Sequence, residues 1–165
     1  MRGEAGLRAD LVSLAIPFAE HEHAAVFTVA ESRQLDAGFP GAHTKNLFLK
    51  DAGGAFWLVT VPAEARVDLK ALPQAIGSKR VSFAKPEDMH RLLGITPGSV
   101  TPLAMINAAP GSVMVVLEEG LATAERIYVH PLRNTGTLGL AGSEVLSLLR
   151  HWGHEPIRAA IPTVA

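Results

Sequence analysis

The stretch His43-Thr44-Lys45-Asn46-Leu47-Phe48-Leu49-Lys50, with Asp51-Ala52-Gly53-Gly54 and Phe56-Trp57-Leu58-Val59-Thr60-Val61 behind it, decides how this chain is read. Leu47-Phe48-Leu49 is a short apolar run bounded by turn residues, which predicts a buried strand over 46–50. Residues 51–54 have hairpin-turn chemistry, and 56–61 is rich in β-branched and aromatic residues, so it returns as a second strand that Pro62 ends. Upstream, Gly38, Pro40 and Gly41 break any helix and set a turn. Lys45 and Asn46 are therefore expected at the mouth of a strand: a compact cation beside an amide that both donates and accepts. Taken alone, this pair reads as a polar strand mouth as readily as a site.

Working outward toward the N-terminus, Leu7, Leu11, Leu14 and Ala15 recur at helical steps and predict a helix over 4–16, closed by Pro17. Glu20-His21-Glu22-His23 reads as a polar connector; two alternating histidines without a third ligand are a weak metal signal. A strand is expected over 24–29 and a short helix over 30–35, with Glu31 in its first turn. Toward the C-terminus, Asp68 caps a helix running to Ile76 and stopped by Gly77, or, because Pro73 falls inside it, two short turns. A short strand follows over 80–83. Pro86–Leu93 carries a first-position proline, Glu87 and Asp88 in its first turn and Gly94 past its end, the pattern of a helix. Strands are then expected over 103–106, 113–117 (too apolar to face water on either side), 127–130, 135–140 and 157–161, and a helix over 144–151 capped by Ser143. Eight or nine strands and four or five helices without strict alternation predict an α+β fold: a curled, mixed, mostly antiparallel sheet flanked by helices.

The chain has 165 residues, 48% of them hydrophobic, enough for one domain over 1–165 with a sizeable core. The formal net charge is -1, which argues against a general nucleic-acid binder held by a large cationic surface. The charge is uneven: residues 1–44 carry 3 Lys/Arg against 6 Asp/Glu, whereas residues 45–91 carry 8 against 5. A basic middle of this kind suits a phosphate backbone. With no cysteine, disulfides, thiolate metal sites and a cysteine nucleophile are excluded. The opening residues lack an apolar signal core and no run approaches membrane-spanning length, so a cytoplasmic protein with no membrane partner is expected.

Most catalytic motifs are missing. Gly77-Ser78-Lys79 lacks Walker spacing, Gly136, Gly139 and Gly142 are not a dinucleotide fingerprint, and no nucleophile elbow occurs. Seven histidines show no metal-ligand spacing, so neither a metal nor another cofactor is expected. The pair Glu118-Glu119 reads as a solvated turn. What remains is Lys45 with Asn46, the stiff loop Gly98-Ser99-Val100-Thr101-Pro102, and His130. Each has a plain alternative: a surface charge, an ordinary connector, and a strand-end histidine with one nitrogen satisfied.

Together these stretches resemble a known family. His43-Thr44-Lys45-Asn46-Leu47-Phe48-Leu49, the G-x-x-x-P loop 98–102, His130-Pro131-Leu132-Arg133-Asn134-Thr135 and Gly153-His154-x-Pro156 are similar to the corresponding stretches of the YbaK/prolyl-tRNA-synthetase-associated editing domains. More narrowly, the chain resembles the stand-alone prolyl-tRNA editing proteins (ProX type), and the resemblance runs over roughly residues 10–160. Pro73, and Gly136-Thr137-Leu138 in place of a more threonine-rich run, depart from the pattern.

The resemblance implies hydrolysis of the ester joining a mischarged amino acid, alanine above all, to the terminal adenosine of a proline tRNA. Such an ester is already activated, so no strong nucleophile is required. Lys45 would hold a phosphate or the carbonyl oxygen, with Asn46 and His130 as orienting groups. Backbone N–H groups of Gly98, Ser99, Val100, Thr101 and Pro102's neighbours would line the ester, with His43 and Thr44 beside it. The adjacent ribose hydroxyl would help activate water. Size would set specificity: a pocket fitted to alanine excludes larger residues by clash. The implied partners are the mischarged proline tRNA, contacted along its acceptor stem by Lys50, Lys79 or Arg80, and, transiently, prolyl-tRNA synthetase. Two other readings stand beside this one: a non-catalytic module of the same fold that binds nucleic acid or a small ligand, and a deacylase for cysteine or serine on tRNA.

Overall fold

The computed structural model describes residues 1–22 and 41–164. In these the chain runs α1 (Glu4–Ser13), β1 (Ala19–Glu22), β2 (Ala42–Asp51), β3 (Phe56–Pro62), α2 (Leu72–Ile76), β4 (Val81–Phe83) and α3 (Pro86–Leu93). Two 3-10 segments follow, Pro97–Ser99 and Pro102–Asn107, then β5 (Val113–Glu118), α4 (Glu119–Ala122), β6 (Ile127–Val129), β7 (Gly136–Leu140), α5 (Gly142–His151) and β8 (Ile157–Ala159).

The β2–β3 hairpin forms where it is expected, and Asp51 explains its turn. One carboxylate oxygen accepts from Gly53 N at 2.9 Å and Ala55 N at 3.0 Å, and the other from the Trp57 indole at 3.0 Å. Around the hairpin the strands lie in the order β1-β7-β6-β2-β3-β5-β8, with β4 also on β2. The pairs β1–β7, β2–β3, β2–β4 and β6–β7 are antiparallel; β2–β6, β3–β5 and β5–β8 are parallel. This is the mixed, mostly antiparallel α+β sheet that the sequence predicts.

The sheet buries both faces at β3, which is apolar except for Thr60 and buried at every position from Phe56 to Val61. On one face Phe48, Phe56, Leu58, Val115 and Leu117 pack with Leu7 and Leu11 of α1, Leu93 of α3, Met105 and the apolar side of α5. On the other, Leu49, Trp57, Val59, Val61 and Val116 pack under Leu72 and Ile76 of α2. Side chains of β2 alternate between the two, so Phe48 enters the first core and Leu49 the second.

Several expectations are corrected. β2 begins at Ala42, so Lys45 and Asn46 lie inside the strand and not at its mouth. The connector over residues 20–23 is, as far as Glu22, strand β1, an edge paired with β7; Arg8 and Arg133 neutralise the carboxylates that made it look like a loop. Residues 103–106 are not a strand. Pro102 starts a 3-10 turn there, the Thr101 hydroxyl accepts from Leu103 N at 3.3 Å, and burial of Leu103, Ala104, Met105 and Ile106 on all sides erases any period. α1 stops at Ser13, with Ala15 at φ 55°. The Asp68 segment resolves into an Asp68 turn followed by α2, which begins at Leu72 and so puts Pro73 in the first turn, where its missing N–H costs nothing. α5 begins at Gly142, capped by Ala141 without any Ser143 bond. Glu118 caps α4 through Leu121 N at 2.9 Å. Met114 of β5 is exposed, so that strand meets water at one position, and β8 ends at Ala159. The strand over 24–29, the helix over 30–35, His23 and the Gly38–Pro40 part of the turn lie outside the described residues.

Candidate functional site at the fork of β2

β2 is longer than the strands beside it, and its two edges are used differently. One edge pairs with β3 continuously from Thr44 to Lys50. The opposite edge is shared. Ala42 and His43 run parallel with Ile127 and Tyr128, and Leu49, Lys50 and Asp51 pair with β4. Between these two pairings no strand lies on this edge among the described residues. The Thr44 hydroxyl closes one end of the gap by donating to Tyr128 O at 2.5 Å, and Ala84 N closes the other by donating to Phe48 O at 2.9 Å. The sheet thus forks at Lys45, Asn46 and Leu47.

Asn46 is the hinge of this fork. Its Nδ2 donates to the Val100 carbonyl at 3.0 Å, and its Oδ1 accepts from the Thr60 hydroxyl at 2.5 Å. Thr60 is its direct cross-strand partner and is fully buried. The Thr60 proton thereby sets which way the amide faces, and the amide grips the 98–102 loop. That loop is stiff for further reasons. Pro97 starts its 3-10 turn, Ser99 N donates to Thr96 O at 2.9 Å, and Ser99 and Thr101 are buried. The N–H of Thr101, in contrast, makes no hydrogen bond among the described residues. Gly98 lies against a second loop: a Cβ there would meet Asn134 Nδ2 at 3.2 Å.

Lys45 is elsewhere. Its cross-strand partner is Val61, and by strand alternation it shares the face of Leu47 and Leu49, opposite to Asn46. It makes no ion pair or hydrogen bond among the described residues. His43 lies on the Lys45 side of the strand and stacks on Tyr128, with ring centroids 4.8 Å apart and planes 19° apart. His130, just past β6, is tied to β7 through Nδ1 and Gly136 O at 3.1 Å. Since a carbonyl only accepts, this bond puts a proton on Nδ1. The fold therefore brings Asn46 and the 98–102 loop into direct contact, sets Thr44 at the fork's closed end, and presents Lys45 on the far side of the same open edge. No group of three His, Asp or Glu able to hold a metal ion occurs among the described residues.

Two contributors escaped the sequence reading. Thr60 was visible only as the one polar residue in an otherwise apolar strand. Asn134 was visible within a motif, but its contact with Gly98 needs the loops brought together.

Residues 23–148 match the aminoacyl-tRNA editing domain family. The chain is 37% identical over 158 residues to the prolyl-tRNA synthetase associated domain-containing protein 1 of Bos taurus, covering 93% of this chain and 92% of that protein. It is 32% identical over 147 residues to the prolyl-tRNA editing protein ProX of Acetoanaerobium sticklandii, covering 88% and 90%. The fold is shared with the crystal structure of a candidate trans-editing enzyme for prolyl-tRNA synthetase, at TM-score 0.68 and 19% identity over 97% of this chain and 98% of that one.

Proposed function

This chain belongs to the aminoacyl-tRNA editing domain family, and from that premise we propose that it is a trans-editing deacylase that hydrolyses alanine mischarged onto proline tRNA. The observation that carries the reading is the Asn46 grip on Val100, which holds a loop whose Thr101 N–H is unspent among the described residues. That donor suits the oxygen of an ester carbonyl as it takes on negative charge, the kind of stabilisation that contributes most to acyl transfer. The terminal nucleotide would cross the open edge of β2, with a phosphate toward Lys45 on one side and the ester toward the loop on the other.

Water attacks the carbonyl carbon, the bond from that carbon to the ribose oxygen breaks, and the ribose oxygen takes the proton, releasing alanine and intact tRNA. The neighbouring ribose hydroxyl helps activate the water, so no side chain need be the general base. Asn46 acts by positioning the loop, and His130 is an orienting group. A close-fitting pocket excludes side chains larger than alanine by clash. Lys50, Lys79 and Arg80, all exposed, contact the acceptor stem, and a transient contact with prolyl-tRNA synthetase goes with this role.

The test is a deacylation assay on alanine-charged proline tRNA, with alanine-charged alanine tRNA, proline-charged proline tRNA and serine- and cysteine-charged tRNAs as controls. Release of alanine from proline tRNA alone, lost in Lys45→Ala, is the expected result. Release from a serine or cysteine ester instead would reassign the substrate. Binding of tRNA without release of any amino acid would replace the enzyme reading with that of a binding module.

A further inference from the structure

We propose that Phe83, flanked by Lys45 and Lys85, is a stacking platform for an unpaired base of the tRNA 3′ end. The proposal rests on the editing reading above and adds a residue to it that the described catalytic fork does not use. Phe83 is 62% exposed, and among the described residues it is the one aromatic ring in the set of exposed large hydrophobics. Its exposure is not a matter of a frayed loop. It is a paired strand residue, with Leu49 as its Cα partner, and the next residue's N–H is also bonded to β2. The backbone under the ring is therefore fixed while the ring itself projects past the core. Val81, two residues earlier on the same side, packs into the second core.

The surroundings decide what the ring would bind. By alternation along β2 and β4, Phe83 shares a face with Leu49, Leu47 and Lys45. Lys85, two residues further on, is exposed and still extended at φ −80° and ψ 153°. The side chains of Lys45 and Lys85 make no ion pair or hydrogen bond among the described residues. Asp88, the acid three residues further on, is engaged by Arg91 at 2.9 Å. A fixed aromatic face between two uncommitted lysines matches the pattern of single-strand recognition, in which rings stack on bases and cations follow the backbone. A protein partner would need a contiguous apolar patch, and one ring between lysines does not supply it. Lys45 is four residues from Leu49 along β2, about 13 Å at strand rise. Neighbouring nucleotides of one strand bridge that span, so a base on Phe83 and a phosphate at Lys45 belong to the same 3′ end.

The test compares Phe83→Ala and Phe83→Trp with wild type on alanine-charged proline tRNA and on alanyl-adenosine, which lacks the upstream nucleotides. Because the ring is exposed, neither variant is expected to unfold. Phe83→Ala should raise KM on tRNA about 5- to 150-fold, the range for one base–aromatic stack, with kcat held and no change on alanyl-adenosine. Phe83→Trp should keep wild-type KM, and its fluorescence should be quenched by titration with the tetranucleotide ACCA. A KM on tRNA within twofold of wild type for Phe83→Ala, an equal rise on alanyl-adenosine, or an unquenched tryptophan would each overturn the platform. If wild type released no amino acid from any tRNA, the editing reading would fall, and the quenching titration would still decide the platform.

Discussion

Replacing Asn46 tests the fork most directly, because the structure gives its side chain two bonds of different kinds. In Asn46→Ala the bond to Val100 O at 3.0 Å and the one from Thr60 at 2.5 Å are both lost. A neutral hydrogen bond contributes about 1 kcal/mol net, but a buried group left without a partner costs about 1–3 kcal/mol. The Thr60 hydroxyl is fully buried and has no water to turn to, whereas Val100 is half-buried and its carbonyl recovers part of its solvation. The expected cost is about 2–3 kcal/mol. Asn46→Asp keeps the acceptor for Thr60 but sets a carboxylate oxygen against the Val100 carbonyl, so it should be at least as harmful. Thr60→Val removes only the brace and should cost about 1 kcal/mol. Urea unfolding measures the global part, and amide exchange at Ser99 and Leu103 measures release of the loop. If the loop geometry matters only in the transition state, 2–3 kcal/mol becomes a fall of about 30- to 150-fold in kcat/KM for Asn46→Ala. An unchanged urea midpoint together with wild-type exchange at both amides would refute the argument, whatever the activity.

Asp51 should make stability acid-sensitive. Burial alone would push its carboxyl up, but donation from Trp57, Ala55, Lys79 and Gly53 holds it below the ordinary range. A depressed carboxylate stabilises fully above its unfolded value and loses that contribution as pH falls through the folded one. Thermal melts of wild type should therefore decline below about pH 4, and Asp51→Asn should flatten that decline while lowering stability at pH 7. Gly142 admits no side chain, since a Cβ would lie 1.9 Å from the Leu121 carbonyl oxygen. Gly142→Ala must displace backbone and should cost about 3 kcal/mol or more, lowering the melting temperature by about 6–12 °C; a shift under 2 °C would show that α4 and α5 slide apart freely. Arg133 joins Glu4 of α1 at 3.0 Å and Glu22 of β1 at 2.5 Å, and its hydrogen bonds hold Glu4 below its ordinary pKa. By the same sign, that stabilisation is present above about pH 4.5 and lost in acid. Arg133→Met should make the α1–β1 edge exchange amides faster at pH 7 and at low salt, with little difference from wild type at pH 3 or in molar salt.

The hairpin around Asp51 was legible because every signal in it is local: an apolar run, a turn with two glycines, and a β-rich return. α3 was legible for the same reason, its proline, acids and terminal glycine all lying within nine residues. Where the reading failed, distant parts of the chain had changed the meaning of a local pattern. Glu20 and Glu22 look like loop residues until Arg8 and Arg133 arrive from α1 and from the turn after β6. Residues 103–106 look like a strand because a fully buried run has no period to betray its shape.

The site divides in the same way. Residue types left Lys45, Asn46 and the glycine–proline loop as separate candidates with plain alternatives, and it was the likeness to an editing family that joined them into a set. That Asn46 and Lys45 sit on opposite faces of one strand follows from alternation, but only once the strand is known to begin at Ala42. That no strand lies on this edge between the two pairings, among the described residues, is a property of the sheet, since it depends on where β6 leaves and β4 arrives. The chain's local preferences determined the β2–β3 hairpin and α3. Only the pairing of strands far apart in sequence decided that a loop 54 residues away hangs from Asn46, because hydrogen bonds across a sheet obey register, and register is settled when whole faces are buried together.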